Sequence, residues 1–240
     1  MKIKALLFDF DETLLENEKS ARESVREAWK LAHEDYPNIS PEQVVETYMD
    51  TRDKFWHAPD AQVIPIIRQG MIPFRHFLWR KTLHGLNIER EDLLTPLVNR
   101  FGEKRWETWR LYPDSLEILE LLKKSYNLVM ITNGVAEVQH RKIQKVNVES
   151  YFHPILISGE IGISKPDPQF FYQAADSVRV KYSECVVIGD SIRNDIRGAK
   201  NAGMTSVWVN RDGILLQSII IPNYEIKTLY ELPSILKTLE

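Results

Sequence analysis

The sequence predicts an α/β fold with a Rossmann-like parallel sheet flanked by helices and a small α-helical domain inserted after the first strand. A short continuous apolar run at residues 5–8 is typical of a strand buried on both faces of a parallel sheet. A long stretch with only helical spacing follows it. From Tyr112 onward, short apolar runs alternate with helical segments over short connections, as in a parallel sheet. The first strand therefore pairs with strands found much later in the chain.

The inserted region is predicted to be a helical cap domain over residues 16–111, leaving 1–15 and 112–240 as the α/β core. We expect the cap to stand over the carboxyl edge of the sheet as a second lobe. Ser40 is a predicted N-cap with Pro41 in the first helical turn. Prolines punctuate the region after the second helix at positions 59, 65 and 73. The predicted helices are 20–33, 40–56, 74–83, and one or two within 89–109 that are interrupted near Pro96 and Gly102.

The core is predicted to hold further strands at 128–131, 155–157, 185–188 and 205–209, and another near Tyr224. Asp167 is a plausible N-cap, with Pro168 at the first helical position. Gly203 suits the C-cap of a short helix. Two core helices are predicted to start at Pro113 and at Pro168. Three more are predicted over 135–146, 195–202 and 229–239.

The composition and charge of the chain argue against several classes of protein. A net charge of −3 gives no overall electrostatic case for a nucleic acid polymer or an anionic membrane. No apolar segment approaches membrane-spanning length, and Asp9 cuts the first apolar run too early for a signal peptide. The single cysteine, Cys185, adjoins an apolar strand and is expected to be a core residue. We therefore expect a cytoplasmic protein that acts on a small molecule, while its oligomeric state is not readable from the sequence.

Polar side chains of a particular kind follow the predicted strands. Because the carboxyl ends of parallel strands meet at one edge of the sheet, we expect these side chains to share a crevice. Clustered carboxylates without histidine or cysteine indicate Mg²⁺, and a hydroxyl and an ammonium suit phosphoryl oxygens. A carboxylate can also act as the nucleophile in phosphoryl transfer. The converging residues are Asp9, Asp11, Thr132, Asn133, Gly134, Lys165, Gly189, Asp190 and Asp195.

Four segments in this order resemble the motifs of the haloacid dehalogenase-like (HAD) hydrolases. The helical insertion after the first motif resembles that of the phosphoglycolate-phosphatase-like and nucleotidase-like branch. Glu12 stands where many members have glycine, and we interpret it as a marker of the branch. The four segments are Asp9-Phe10-Asp11-Glu12-Thr13-Leu14, Thr132-Asn133-Gly134, Lys165-Pro166-Asp167-Pro168, and Gly189-Asp190-Ser191 with Asn194-Asp195.

The resemblance implies a role for each matched position. Asp9 would be the nucleophile, and Asp11 would be the general acid and base. Mg²⁺ would be held by the Asp9 side chain, the Asp11 backbone carbonyl and Asp190. Asp195 would orient a metal-bound water or Lys165. Thr132 and Asn133 would bind phosphoryl oxygens, and Lys165 would neutralise both the nucleophile and the phosphate.

The leading functional prediction is a Mg²⁺-dependent phosphatase that hydrolyses a small-molecule phosphomonoester through an aspartyl-phosphate on Asp9. The alternatives are a phosphomutase, a 2-haloacid dehalogenase and a non-catalytic phospho-acceptor or binding protein. The name-giving dehalogenases lack an acid at the position of Asp11, which favours the phosphatase.

The large side chains of the insertion have two interpretations. Its five tryptophans would stack on a substrate or fill the core of a small lobe, and the second is favoured. Its cations would contact an anionic substrate or form a solvated helix face, and the second is again favoured. The residues concerned are Trp29, Trp56, Trp79, Trp106 and Trp109, and Arg68, Arg75, Arg80 and Lys81.

Overall fold

The computed structural model describes residues 2–57 and 63–239, so the predicted punctuation at Pro59 lies outside the described residues. The chain forms two compact units. The first comprises residues 2–16 and 110–239, and the second comprises Asn17–Trp109. The second unit falls within the region that the sequence predicts as a cap domain, and its assignment as a cap stays a prediction.

The first unit is built on a six-stranded sheet in the order β3-β2-β1-β4-β5-β6, in which every neighbouring pair is parallel. The first strand lies centrally, with Phe8 in register with Met130 on one side and Ile188 on the other. All four residues of that strand are buried, as expected for a sheet covered on both faces. The predicted parallel α/β fold is therefore confirmed. The strands are β1 Ala5–Phe8, β2 Asn127–Thr132, β3 Ile155–Ile157, β4 Cys185–Gly189, β5 Thr205–Val209 and β6 Tyr224–Ile226.

The helices of this unit follow the strands over short connections. The side chain of Asp167 accepts a hydrogen bond from the Gln169 backbone N–H at 2.9 Å, so the predicted N-cap is confirmed. The predicted helix over 195–202 differs from the structure, because a π-helical turn at Ile192–Ile196 precedes a short α-helix. Helices are numbered along the whole chain, and α1–α5 belong to the second unit. The α-helices of the first unit are α6 Ser115–Leu122, α7 Ala136–Val146, α8 Ser158–Ile161, α9 Pro168–Ser177, α10 Arg197–Asn201 and α11 Leu232–Thr238.

The described residues of the second unit form five α-helices and one 3-10 turn joined by loops, with no strand among them. Ser40 and Gln43 exchange backbone and side-chain hydrogen bonds at the start of the second helix, which confirms that predicted start. The predicted interruption near Pro96 and Gly102 is wrong. Pro96 lies in the first turn of a continuous helix, where its missing N–H would have no intrahelical partner. The helices are α1 Asn17–Trp29, α2 Pro41–His57, α3 Val63–Arg68, α4 Met71–Gly85 and α5 Leu94–Thr108.

Aromatic side chains fill the core of this second unit. Trp29 and Trp79 are fully buried, and Tyr48 packs between Trp79 and Phe101 with ring centroids 5.0 and 5.2 Å apart. These large rings pack with aliphatic side chains in the buried core of this helical unit. The packing supports the core-filling interpretation of these rings, while Trp106 remains 38% exposed.

Three of the four cations singled out in the insertion have partners within the second unit. Arg80 makes two bonds of 2.8 Å with Glu91, while Arg75 and Lys81 lie over aromatic rings. They therefore act in part as structural groups. Among the described residues of the whole chain, no helix has both the length and the apolar composition needed to cross a membrane.

Candidate active site

The first acidic residue directly follows the central strand. Asp9 comes after the last residue of β1, and its backbone N–H donates to the Ile188 carbonyl of β4 at 2.9 Å. Thr132 is the last residue of β2, and Asp190 comes directly after β4. Because β2 and β4 flank β1, these three residues converge at one edge of the sheet.

Lys165 joins two of the carboxylates. Its ammonium lies 2.6 Å from Asp9 Oδ1 and 2.7 Å from Asp195 Oδ1, and the whole residue is only 4% exposed. Burial opposes the charge on Lys165, but the charges of Asp195 and Asp9 outweigh it and hold the pKa above its usual value. The lysine is therefore a fixed positive charge between the two acids.

Asn133 holds the backbone of that lysine. The Asn133 amide nitrogen donates to the Lys165 carbonyl, and its amide oxygen accepts from the Lys165 N–H, both at 3.0 Å. This reciprocal pair links the end of β2 to the loop that carries Lys165. The Asn133 side chain thus positions the lysine, and its predicted contact with phosphate stays a prediction.

Thr13 lies between the carboxylates of Asp9 and Asp190. It was not assigned a role from the sequence. Its hydroxyl lies 3.3 Å from both Asp9 Oδ2 and Asp190 Oδ1, and it accepts from the Asp190 backbone N–H at 3.1 Å. A hydroxyl carries a single proton and therefore donates to one carboxylate at a time. The Asp190 carbonyl also accepts from the Trp208 indole N–H at 2.7 Å, which fixes the backbone at this position.

Three carboxylates form a cluster with the donor set of a divalent cation site. One ligand oxygen from each of Asp9, Asp190 and Asp195 lies within 4.8 Å of the others. Burial, followed by the charges of Asp9 and Asp195, raises the pKa of Asp190. Burial likewise raises the pKa of Asp195 to about 6, against the opposing charge of Lys165. A hard cation such as Mg²⁺ would relieve this repulsion, so the residues fit the predicted metal.

The close packing around Asp195 explains one glycine of the fourth motif. A Cβ atom at Gly189 would lie 2.3 Å from Asp195 Cγ, far inside van der Waals contact. Asp195 is completely buried and also accepts the Ser191 N–H at 3.0 Å. The resemblance implies that Asp195 orients a metal-bound water or Lys165. Its carboxylate contacts the Lys165 ammonium and lies within the acidic cluster, and its role toward the metal stays a prediction.

Asp11 points to a different set of partners. Both of its carboxylate oxygens lie 2.8 Å from the ammonium of Lys142, and Oδ2 accepts from the Gln139 amide at 3.1 Å. Its side chain is 25% exposed and is not one of the three in the acidic cluster. The predicted ligation of metal through the Asp11 backbone carbonyl stays a prediction.

Sequence reasoning missed Gln139 and Lys142. Both are buried on one face of α7, three positions apart, together with Ile143. The sequence itself contains a sign of their role, because two polar residues occupy the apolar stripe of an amphipathic helix. Only the structure shows which carboxylate they meet.

The backbone at Glu12 explains why glycine suits this position. Glu12 has φ of 60°, in the left-handed region that costs a side-chain-bearing residue about 1–2 kcal/mol. Its carboxylate accepts the Tyr112 hydroxyl at 3.1 Å, and the Tyr112 ring lies under Arg211, 3.8 Å from the guanidinium carbon. These contacts hold the turn that carries Asp9 and Asp11.

Known proteins are similar to this chain in sequence and in fold. N-acylneuraminate-9-phosphatase of Rattus norvegicus is 27% identical over 244 residues, which cover 100% of this chain and 96% of that protein. Glyceraldehyde 3-phosphate phosphatase of Methanopyrus kandleri is 30% identical and covers 87% of this chain and 84% of its own. The magnesium-bound crystal structure of the HAD-hydrolase YfnB from Bacillus subtilis superposes with a TM-score of 0.76 at 24% identity, covering 98% of this chain and 99% of that one.

A family model agrees with these similarities and with the motifs. The model for haloacid dehalogenase-like hydrolases matches residues 3–203, which contain all four motif segments. The predicted resemblance and the prediction of a hydrolase are confirmed. This chain belongs to the haloacid dehalogenase-like hydrolase family.

Proposed function

We propose that the protein is a Mg²⁺-dependent phosphatase that hydrolyses a small-molecule phosphomonoester through an aspartyl-phosphate on Asp9. The observation that carries this proposal is the position of Asp9, at a strand end, beside the buried Lys165 and within a three-carboxylate cluster. A carboxylate so placed has a fixed positive charge next to it and donors suited to phosphoryl oxygens nearby.

Each residue of the site has a proposed part in the first step. Asp9 Oδ2 attacks phosphorus, while Oδ1 stays bonded to the Lys165 ammonium. Thr132 and the backbone N–H groups after β2 bind phosphoryl oxygens. Asp11 gives a proton to the leaving oxygen, so that the product departs as an alcohol. The negative charge that spreads over the phosphoryl oxygens is met by Lys165.

Water then cleaves the phosphorus–oxygen bond of the aspartyl-phosphate. Asp11, now ionised, takes a proton from that water, and inorganic phosphate leaves while Asp9 regains its carboxylate. Asp9, Asp190 and the Asp11 carbonyl would hold Mg²⁺, with Asp195 at the same cluster, and the bound ion would supply a positive charge for the phosphoryl oxygens. Lys165 keeps Asp195 from repelling Asp9 during both steps.

The alternatives predict different products. A 2-haloacid dehalogenase needs no proton donor for a halide, so Asp11 and its two buried partners favour the phosphatase. A phosphomutase would return the phosphoryl group to a sugar hydroxyl instead of to water. A phospho-acceptor protein would keep the label on Asp9 without turnover.

We propose a small phosphorylated carbohydrate or carbohydrate-like acid as the substrate. The support comes from the relatives, whose names give N-acylneuraminate 9-phosphate and glyceraldehyde 3-phosphate as their substrates. We also propose that the helical unit acts as the specificity-determining cap. The single buried cysteine supports a cytoplasmic location.

A substrate panel tests the proposal. The purified protein with Mg²⁺ is assayed for phosphate release from those two compounds, nucleoside monophosphates, phosphoglycolate and 4-nitrophenyl phosphate. We expect Asp9→Asn to abolish release, while Asp212→Asn, at an exposed aspartate of the same unit, retains it. Unchanged turnover in Asp9→Asn would overturn the mechanism, and release from none of the compounds would favour the binding alternative.

A further inference from the structure

Each aspartate of the first motif contacts its own buried lysine. Lys165 contacts Asp9 at 2.6 Å, and Lys142 contacts Asp11 at 2.8 Å. The two lysines come from different segments, the loop before α9 and the middle of α7. The family motifs account for Lys165, whereas Lys142 lies outside them.

The contact between Lys142 and Asp11 fixes a carboxylate that would otherwise rotate. The ammonium bonds both oxygens at equal distance, so it restricts rotation of the carboxylate plane. The lysine side chain is 5% exposed, and its carboxylate partner is 25% exposed. A buried ammonium is costly in free energy unless it is paired. Because Lys142 is the more buried partner, breaking its contact with Asp11 would leave an unpaired buried charge.

Gln139 ties the same carboxylate to the phosphate end of the site. Its amide nitrogen donates to Asp11 Oδ2 and also to the hydroxyl oxygen of Thr132. An amide nitrogen carries two protons, so it serves both acceptors at once. The carboxyl of Asp11 is thereby held one side chain away from the hydroxyl at the end of β2.

We propose that Lys142 and Gln139 are positioning residues that hold the Asp11 carboxyl for proton transfer at the substrate's bridging oxygen. The inference rests on the proposed phosphatase function. Each carboxylate oxygen has two lone pairs. Lys142 bonds both oxygens of Asp11 and Gln139 bonds Oδ2, so one lone pair of Oδ1 is left for a proton. In this role Lys142 and Gln139 act through Asp11 and not on the substrate directly.

A positioning role predicts sensitivity to the leaving group. Proton donation matters most when the departing oxygen is strongly basic, and it matters little for 4-nitrophenolate, which the nitro group stabilises. Phenyl phosphate has nearly the same shape and a more basic leaving group. The ratio of kcat/KM for the two compounds therefore reports on Asp11, because kcat/KM covers the steps up to leaving-group departure.

The experiment compares Lys142→Met with wild type on both aryl phosphates. We expect kcat/KM to fall roughly 10- to 100-fold for phenyl phosphate and less than about threefold for 4-nitrophenyl phosphate, since general acid catalysis contributes on the order of 10²–10⁴. Lys142→Arg should restore part of the loss. In an Asp11→Asn background, Lys142→Met should cause no further loss. Lys145→Met, at an exposed position of the same helix, is the matched control and should match wild type.

Equal losses on the two compounds, or a loss that persists in the Asp11→Asn background, would overturn the inference while leaving the phosphatase in place. If the wild type releases phosphate neither from these two compounds nor from any other compound of the substrate panel, the proposed function is overturned and the positioning role with it. Thermal unfolding reports whether Lys142→Met folds. Should it not fold, Gln139→Met takes its place, with the same selective loss expected and a uniform loss contradicting the inference.

Discussion

Replacing Lys165 with methionine removes the positive charge that separates Asp9 from Asp195. The change keeps a similar side-chain length but deletes the contacts of 2.6 and 2.7 Å. Both carboxylates are almost fully buried, with exposures of 6% for Asp9 and 0% for Asp195. The variant therefore leaves two buried negative charges facing each other without an internal cation.

The cost follows from the burial of the two acids. Removing one partner of a buried ion pair destabilises a protein by about 3–5 kcal/mol. For a chain of this length, each kcal/mol lowers the Tm by about 2–4 °C, so we expect a loss of roughly 6–20 °C. Bound Mg²⁺ would supply the missing charge, so the variant should gain more thermal stability from added Mg²⁺ than wild type does.

The loss of stability should also depend on pH. Burial already raises the pKa of Asp195 to about 6, and loss of Lys165 removes the charge that opposes this rise. A carboxyl whose folded pKa exceeds its unfolded pKa lowers stability above the unfolded value, and that cost disappears as protonation occurs at lower pH. The difference between variant and wild type should therefore be largest near pH 7–8 and smallest near pH 4.

Thermal unfolding in EDTA, repeated across this pH range, measures these effects. Lys200→Met is the matched control, because Lys200 is an exposed lysine of the same unit. A Tm of Lys165→Met within about 1 °C of wild type at pH 7.5 would contradict this prediction, because that shift is well below the one expected for a buried ion pair.

Three further changes have expected outcomes. Gly189→Ala would place a Cβ 2.3 Å from Asp195 Cγ, and we expect denaturant unfolding to show a loss of about 1–3 kcal/mol and phosphatase assays to show at least a tenfold loss. Asn133→Leu deletes two hydrogen bonds to the Lys165 backbone, so denaturant titration should show a loss of about 1–3 kcal/mol; an unchanged midpoint would contradict this. Hydrogen bonds from Lys30 and Arg100 lower the pKa of Glu27 from 4.5 to about 2. This pairing therefore adds stability above pH 4.5 that is lost as the pH falls towards 2, and Arg100→Gln should lower the Tm slightly at pH 7 but not at pH 2.

Much of the fold was predictable because local patterns determine it. Buried parallel strands appear as short apolar runs, and capping residues such as Ser40 and Asp167 mark helix starts with a defined hydrogen bond. The interruption expected at Pro96 was wrong, because a proline in the first turn of a helix costs no hydrogen bond. The π-helical turn at Ile192–Ile196 has no simple sequence pattern, and the packing around Asp195 accompanies it.

The candidate site was predictable where motifs lie at strand ends. The structure places Asp9, Asp190, Asp195 and Lys165 together, as the parallel topology requires. The contacts that orient these groups were not predictable, because they join segments far apart in sequence. Lys142 lies 131 positions from Asp11, so helical periodicity could show that it is buried but not what it meets.

Asp9 is proposed to carry the phosphoryl group during turnover, and this intermediate can be trapped chemically. Borohydride converts an acyl phosphate to an alcohol, so quenching the working enzyme with borohydride leaves a permanent mark on the acceptor residue. Peptide mass spectrometry after such a quench should find homoserine in place of aspartate at position 9, dependent on both substrate and Mg²⁺. An unmodified Asp9 in an enzyme that is releasing phosphate, or homoserine formed at another position, would contradict the role of Asp9 as the phosphoryl acceptor.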